Sequence, residues 1–317
     1  MTQSLNTLYR TVGLTKQAVH QHRLRQIAFD RQLSELIKLV DILRSEHPGC
    51  GVEKMYYALR PSLMGRDKFI HVFMELGYGL KPSKNYTRTT YSIENEFTNL
   101  IQGLLVDSIN QVVQSDISFF RIGENFYYLI FIIDVYSKRI VGYQASNHMR
   151  ASANRKALKQ MIKLRGKKQL QNCIHHSDRG SQYNEKNYLA MLQNLNCHIS
   201  MGLKGQDNAY AERINGIIKN EYLKYWPIKN LASLRRCLKK AVDHYNLKRP
   251  HQHLPGKLSP IQFEKFWIEK ASDHPHFELI YAKQNYRKRP IDIQPLFELE
   301  LTNGYFCPLW GNYFLNQ

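Results

Sequence analysis

The sequence predicts an α/β protein in which small all-α modules precede a mixed sheet covered by helices. Three observations carry that expectation. Residues 1–80 place apolar side chains at helical spacing; after Asn110 come three β-rich stretches joined by short turns; and from Ala151 helical and strand patterns alternate.

Leu5 to Thr11 has helical spacing, Val12-Gly13-Leu14 makes a corner, and Thr15 is placed to cap a helix from Lys16 to about Arg25. Residues 1–26 thus outline a partial helix-turn-helix arm. In one reading Lys16, Gln17, His20 and His22 face a DNA groove or phosphates; in the other the two helices only pack as an interaction arm. A separate amphipathic helix is expected from Ile27 to Leu43, where Leu33, Leu36, Ile37, Val40 and Leu43 share a face, with a stop at His47-Pro48-Gly49. Helices at Gly51–Leu59 and Arg66–Leu76 follow, closed by Gly77-Tyr78-Gly79. The basic, aperiodic stretch Lys81–Thr90 reads as a linker, so residues 27–90 form a helical DNA-binding module and linker.

Residues 91–265 form the main domain. Gln111–Ser118, Phe126–Ile133 and Arg139–Ala145 are strand candidates, joined through Gly123-Glu124-Asn125 and Ser137-Lys138 into an antiparallel meander. Then come a helix at Ala151–Leu164, a strand at Asn172–His176, a helix at Asn184–Leu195 and a strand at His198–Met201. Helices at Ala209–Tyr222 and Ser233–Asn246 close the series. In residues 266–317, Phe277–Tyr281 and Leu296–Leu301 suggest strands of a small β extension.

Lys and Arg number 45 against 26 Asp and Glu, a formal charge of +19 spread over 317 residues. That excess favours a polyanionic partner, nucleic acid before anionic lipid. Cys50, Cys173, Cys197, Cys237 and Cys307 are odd in number and lack a CxxC pair, which speaks against a disulfide framework or zinc knuckle and fits a reducing cytoplasm. The N-terminus lacks a basic-then-apolar signal pattern, and the longest apolar run, Phe126–Ile133, is too short to span a bilayer, so no membrane partner is expected.

Three acids occupy telling places. Asp116 is inside the first strand, Asp178 follows the fourth where Arg179-Gly180 turns the chain, and Glu212 is on the helix from Ala209. On that helix Ala211, Ile214, Ile218 and Tyr222 form a core stripe, while Glu212 and Lys219 share the adjoining face. Clustered carboxylates suit hard divalent cations, and a pair of such ions promotes in-line displacement at phosphorus. Each acid alone fits a turn or cap better than a catalytic role. Together, in a basic chain, they point to phosphodiester chemistry.

The segments "NQVVQSDISFF", "HHSDRGSQY" and "GQDNAYAERINGIIKNEYL" around these acids resemble the transposases of IS3-type insertion sequences, relatives of retroviral integrases. The likeness runs from about Asn110 to Phe263 and includes "HYNLKRPHQHLPGKLSPIQF"; more weakly, "HPGCGVEKMYYALR" resembles the helix-turn-helix segment those proteins carry upstream. The resemblance implies a ribonuclease H-like fold, with Asp116, Asp178 and Glu212 as catalytic ligands of two Mg²⁺ or Mn²⁺ ions. It implies DNA strand cleavage followed by strand transfer at insertion-sequence ends, with the ends and target DNA as partners. It further implies a homo-oligomer on paired ends, an upstream helix-turn-helix partner or frameshift fusion, and a place in the bacterial cytoplasm at the nucleoid. Three departures stand out: the Asp178–Glu212 spacing is slightly short, Val113 replaces a common Trp, and Ser115 and Ser118 stand where Thr is frequent. A catalytically inactive DNA-binding relative and a nuclease of the same fold therefore stay as alternatives.

Other polar residues are weighed against bland roles. His175 and His176 fit packing or hydrogen bonding better than metal ligation, and Asp134 a turn or cap better than a third acid. Asp207-Asn208 is placed to cap the Glu212 helix, with a direct DNA contact from Asn208 the sharper option. Arg213 and Lys219 are candidates for terminal DNA near the metals. Arg249, His251 and His253 either contact DNA or close the domain.

Overall fold

The structure, a computed structural model, describes residues 9, 11–80, 97–202, 205–269 and 279–280. The chain divides after residue 85 into two compact units. Most of the expected Leu5–Thr11 helix, the linker Lys81–Thr90 and the strand Leu296–Leu301 lie outside the described residues.

In the first unit, α1 (Lys16–Glu46), α2 (Val52–Leu59) and α3 (Arg66–Glu75) surround a core of Leu36, Val40, Leu43, Met55, Phe69 and Phe73. Thr15 caps α1 as expected, its hydroxyl oxygen accepting from the Ala18 N–H at 3.0 Å. The break expected between Arg25 and Ile27 does not occur. No Gly or Pro interrupts that stretch, so the helix propagates through it, and the apolar face begins only where burial begins, near Leu33. Lys16 and His20 are exposed on its first turns. Arg60 ends α2 in the left-handed conformation (φ 45°), and the short turn through Gly65 leads into α3.

The second unit is built on a mixed five-stranded sheet. β2 (Val112–Ile122), β3 (Asn125–Asp134) and β4 (Ile140–Ser146) form the expected antiparallel meander; β5 (Ile174–Ser177) and β6 (His198–Met201) add in parallel, giving the order β4-β3-β2-β5-β6. Short strand β1 (Leu105–Val106) pairs separately with β7 (Leu279–Ile280), inside the expected 277–281 strand. Helices cover both faces. α4 (Ala151–Arg165) and α5 (Lys186–Gln193) pack with Val113, Ile130 and Ile132 on one side. On the other, α6 (Ala209–Ile217) and α7 (Leu231–Leu247) pack with Leu129, Phe131 and Ile133. β3 feeds both cores, which is why its sequence is an unbroken apolar run rather than an alternation. Gly142 admits α4 to the sheet, since a Cβ there would collide with the Ala157 carbonyl oxygen. This is the ribonuclease H-like arrangement expected.

The helix expected at Asn184–Leu195 is shorter, Lys186–Gln193, and two further boundaries differ for reasons visible in the structure. The helix expected to run to Tyr222 passes at Ile218 into a π turn, Ile218–Tyr222. α7 begins at Leu231 rather than Ser233, because Asn230 is its cap: Asn230 accepts from the Ser233 N–H and the Ser233 hydroxyl accepts from the Asn230 N–H. α8 (Pro260–Glu269) closes the unit against Tyr136 and Leu254.

Candidate active site

Strand register brings the two aspartates together. β2 and β5 run parallel with Ser115 opposite Ser177, so the next residue of each strand, Asp116 and Asp178, leaves the sheet at the same level. β5 ends there, and β2 continues alone on that side. The Gly180 N–H donates to Asp178 Oδ1 at 3.1 Å, fixing the carboxylate. A Cβ on Gly180 would stand 3.0 Å from that same oxygen, which accounts for the glycine after Arg179.

The third acid arrives on α6, and strand β2 ties that helix at both ends. At its start the buried Gln114 side chain accepts from the Tyr210 and Ala211 N–H groups, at 3.1 and 3.2 Å, and donates to the Asp207 carbonyl at 3.2 Å. Gln114 therefore serves the donors a helix N-terminus leaves unpaired. The expected cap by Asp207-Asn208 does not form: Asn208 makes no side-chain cap, is buried, and donates instead to the Ser115 carbonyl at 2.8 Å. Two turns on, Asn215 donates to Asp116 Oδ2 at 2.6 Å and accepts from the Ser118 hydroxyl at 2.6 Å. The stripe Ala211, Ile214, Ile218 and Tyr222 is buried as expected, leaving Glu212 exposed beside the aspartates.

The acids feel one another. Burial, then the charges of Asp178 and Glu212, push the Asp116 carboxyl up to about 7, against the opposing Asn215 bond. Burial raises Asp178, and burial with the Asp178 charge raises Glu212. Lys219 is the counter-charge: burial lowers its ammonium and Asp116 opposes that shift. Among the described residues, no three His, Cys, Asp or Glu side chains already stand close enough to hold a metal ion.

The remaining candidates separate cleanly. His175 bonds Tyr188 Oη at 2.9 Å and His176 bonds Ser200 Oγ at 2.8 Å; burial lowers both imidazoles, to about 3 and about 4, so both are neutral packing groups. Asp134 accepts from the Asn110 and Ser137 N–H groups at 2.7 and 2.8 Å, closing the turn after β3. Arg213 is exposed next to Glu212. Arg249 is not a free DNA contact: it is buried in a two-pronged pair with Glu221 at 2.8 and 2.9 Å, which supports the domain-closing role. His251 is buried too, its imidazole held down by burial and by Arg249. Sequence reasoning missed Gln114 and Asn215, whose partners lie 93 to 99 residues away.

Known proteins resemble this chain in sequence. Two models described as Integrase core domain match, over residues 107–206 and 193–260. The 31 kDa protein of insertion element IS600 from Shigella sonnei is 30% identical over 249 residues, covering 77% of this chain and 90% of that one. The transposase InsF of insertion sequence IS3A from Escherichia coli K12 is 29% identical over 265 residues, covering 80% and 86%. The HTLV-2 integrase catalytic core domain in complex with magnesium superposes with a TM-score of 0.40 at 19% identity, covering 52% of this chain and 98% of that one. The chain belongs to the IS3-type insertion-sequence transposases, polynucleotidyl transferases built on an integrase core.

Proposed function

We propose that this transposase cuts DNA strands at the ends of an insertion sequence and joins them to target DNA at a site formed by Asp116, Asp178 and Glu212. The observation that carries the reading is the mutual charge strain of three carboxylates from a strand, a strand end and a helix, in a chain of net charge +19. Their donors are hard oxygens, the set that Mg²⁺ or Mn²⁺ accepts, and a divalent cation would offset the burial and charge repulsion that raise the Asp116 carboxyl. Asp116, Asp178 and Glu212 would hold the ions, two per site in this reading, and a bound pair would supply activation of an attacking oxygen and stabilisation of a leaving one.

The protein's own groups prepare that geometry. Gly180 orients the Asp178 carboxylate; Asn215 holds Asp116 Oδ2; Gln114 and Asn208 fasten α6 so that Glu212 stands opposite. The attacking oxygen is water for cleavage and a DNA 3′ hydroxyl for joining, so no Ser or Tyr nucleophile is required. Exposed Lys16, His20 and Arg213, with half-buried Lys219, are the basic groups placed to meet phosphates. We infer a homo-oligomer on paired ends, with a helix-turn-helix partner or fusion upstream. A cytoplasmic, nucleoid-associated place fits a DNA partner, and no helix among the described residues is long and apolar enough to cross a membrane.

The test is an end-bearing oligonucleotide with target DNA and Mg²⁺. Asp116→Asn, Asp178→Asn and Glu212→Gln abolish cleavage and joining while folding and DNA binding persist. Metal-dependent cleavage surviving in all three variants overturns the assignment; cleavage by the wild type without covalent donor–target products identifies a nuclease.

A further inference from the structure

Beyond the carboxylates, β2 and β3 run on as a hairpin that leaves the sheet. β5 pairs with β2 only to Ser115, and β4 pairs with β3 only from Tyr128, so residues 116–127 carry no flanking strand among the described residues. On this ribbon two rings stand in contact, with Arg121 against one and Lys219, from the π turn after α6, against the other. Lys219 Nζ lies 5.8 Å from the Phe119 ring centroid; Phe119 meets Phe126 edge to face at 5.8 Å; Arg121 Cζ lies 5.8 Å over Phe126. Arg121 is steadied through Nε, which donates to the Gly123 carbonyl at 2.8 Å, and neither Arg121 nor Lys219 is in a salt bridge among the described residues. Phe126 is 52% exposed at the tip, in contact with Phe119 and Arg121 but outside the buried cores. At its near end the series starts beside Asp116, whose charge acts on Lys219.

We propose that the Phe119–Phe126 ribbon is a stacking platform for unpaired DNA bases next to the phosphate held at Asp116, with Arg121 and Lys219 on the adjoining phosphates. The proposal rests on the function proposed above and adds to it the state of the DNA: the base pairs flanking the reacting phosphate are opened. Every base offers a face for stacking, so such a platform accepts any sequence, and the cations flanking the two rings neutralise the backbone that brings the bases there. A fully stacked duplex offers its base edges and phosphates, not its faces, and gives Phe126 no counterpart. The unpaired nucleotides come either from the insertion-sequence end or from distorted target DNA; the chemistry is shared.

The test uses full-length protein and two DNA probes, an end duplex and a target duplex, each with 5-iodouracil in a mismatched flank. Irradiation is expected to cross-link the iodinated base to a peptide containing Phe126 in the wild-type protein, whether or not that protein cuts the probe. The probe that cross-links identifies the source. Phe126→Ala, a substitution at an exposed position, is expected to weaken binding of mismatched-flank DNA by about tenfold while leaving fully paired DNA unaffected; Arg121→Ala weakens both. Cross-linking at Phe126 in a protein that never cuts DNA would keep the platform and remove the catalytic reading. Absence of a cross-link within residues 119–126 from either probe, together with wild-type affinity in Phe126→Ala, overturns the platform.

Discussion

Asn215 donates its side-chain N–H to Asp116 Oδ2 at 2.6 Å, joining the helix of one proposed ligand to the strand of another across 99 residues of sequence. The same amide oxygen accepts from Ser118, so Asn215 cannot turn without losing both bonds. Removing it loosens Asp116 and the helix together. Asn215→Ala is expected to lower metal-dependent cleavage about 10–100-fold and to raise the Mg²⁺ concentration for half-maximal rate, as loss of a ligand's supporting partner does. Initial rates across a Mg²⁺ titration check this, with DNA affinity as the control that stays constant.

Gln114 acts one turn below the Glu212 side chain, serving two helix N–H groups and the Asp207 carbonyl. Gln114→Leu keeps most of the volume and strands those buried groups, at a cost of about 1–3 kcal/mol. Denaturant unfolding is expected to show that loss, and cleavage by the folded protein to fall because Glu212 is no longer held.

Arg249 and Glu221 form a buried pair rather than a DNA contact. Arg249→Ala removes the guanidinium that donates two bonds to Glu221 and is expected to destabilise the protein by about 1–3 kcal/mol. DNA affinity per folded molecule stays at the wild-type value, measured by fluorescence anisotropy below the unfolding temperature.

Lys138 is buried, its ammonium donating to the Val135 carbonyl at 2.5 Å and lying 3.8 Å over the Tyr210 ring. Burial, with a smaller contribution from Arg213, lowers it from 10.5 to about 7. Between those values the unfolded chain binds a proton that the folded chain does not, so stability from this group rises with pH from about 7 to 10.5. Lys138→Met is expected to raise the melting temperature at pH 7 and flatten its rise towards pH 10, as thermal unfolding across that range reports.

Much of this was readable in sequence, for definite reasons. The meander was visible because Phe126–Ile133 packs on both faces and its turns are short. The acids were visible because their surrounding segments are distinctive. The unbroken α1 was not, because a change of apolar register between Arg25 and Ile27 looks like an end when no breaker is needed to make one. Gln114, Asn208 and Asn215 left no periodic trace: a polar side chain that fastens a helix to a strand is defined by its distant partner. Arg249 looked like its basic neighbours until Glu221, 28 residues earlier, was placed against it.

The central claim is that Asp116, Asp178 and Glu212 close on shared divalent cations, and a crystal structure grown with Mn²⁺ tests it most directly through the metal's anomalous scattering. Manganese peaks are expected at this site, ligated by oxygen atoms of all three carboxylates at roughly 2.0–2.2 Å, the range for small octahedral cations. Manganese bound elsewhere, with Glu212 turned away from both aspartates, would contradict it.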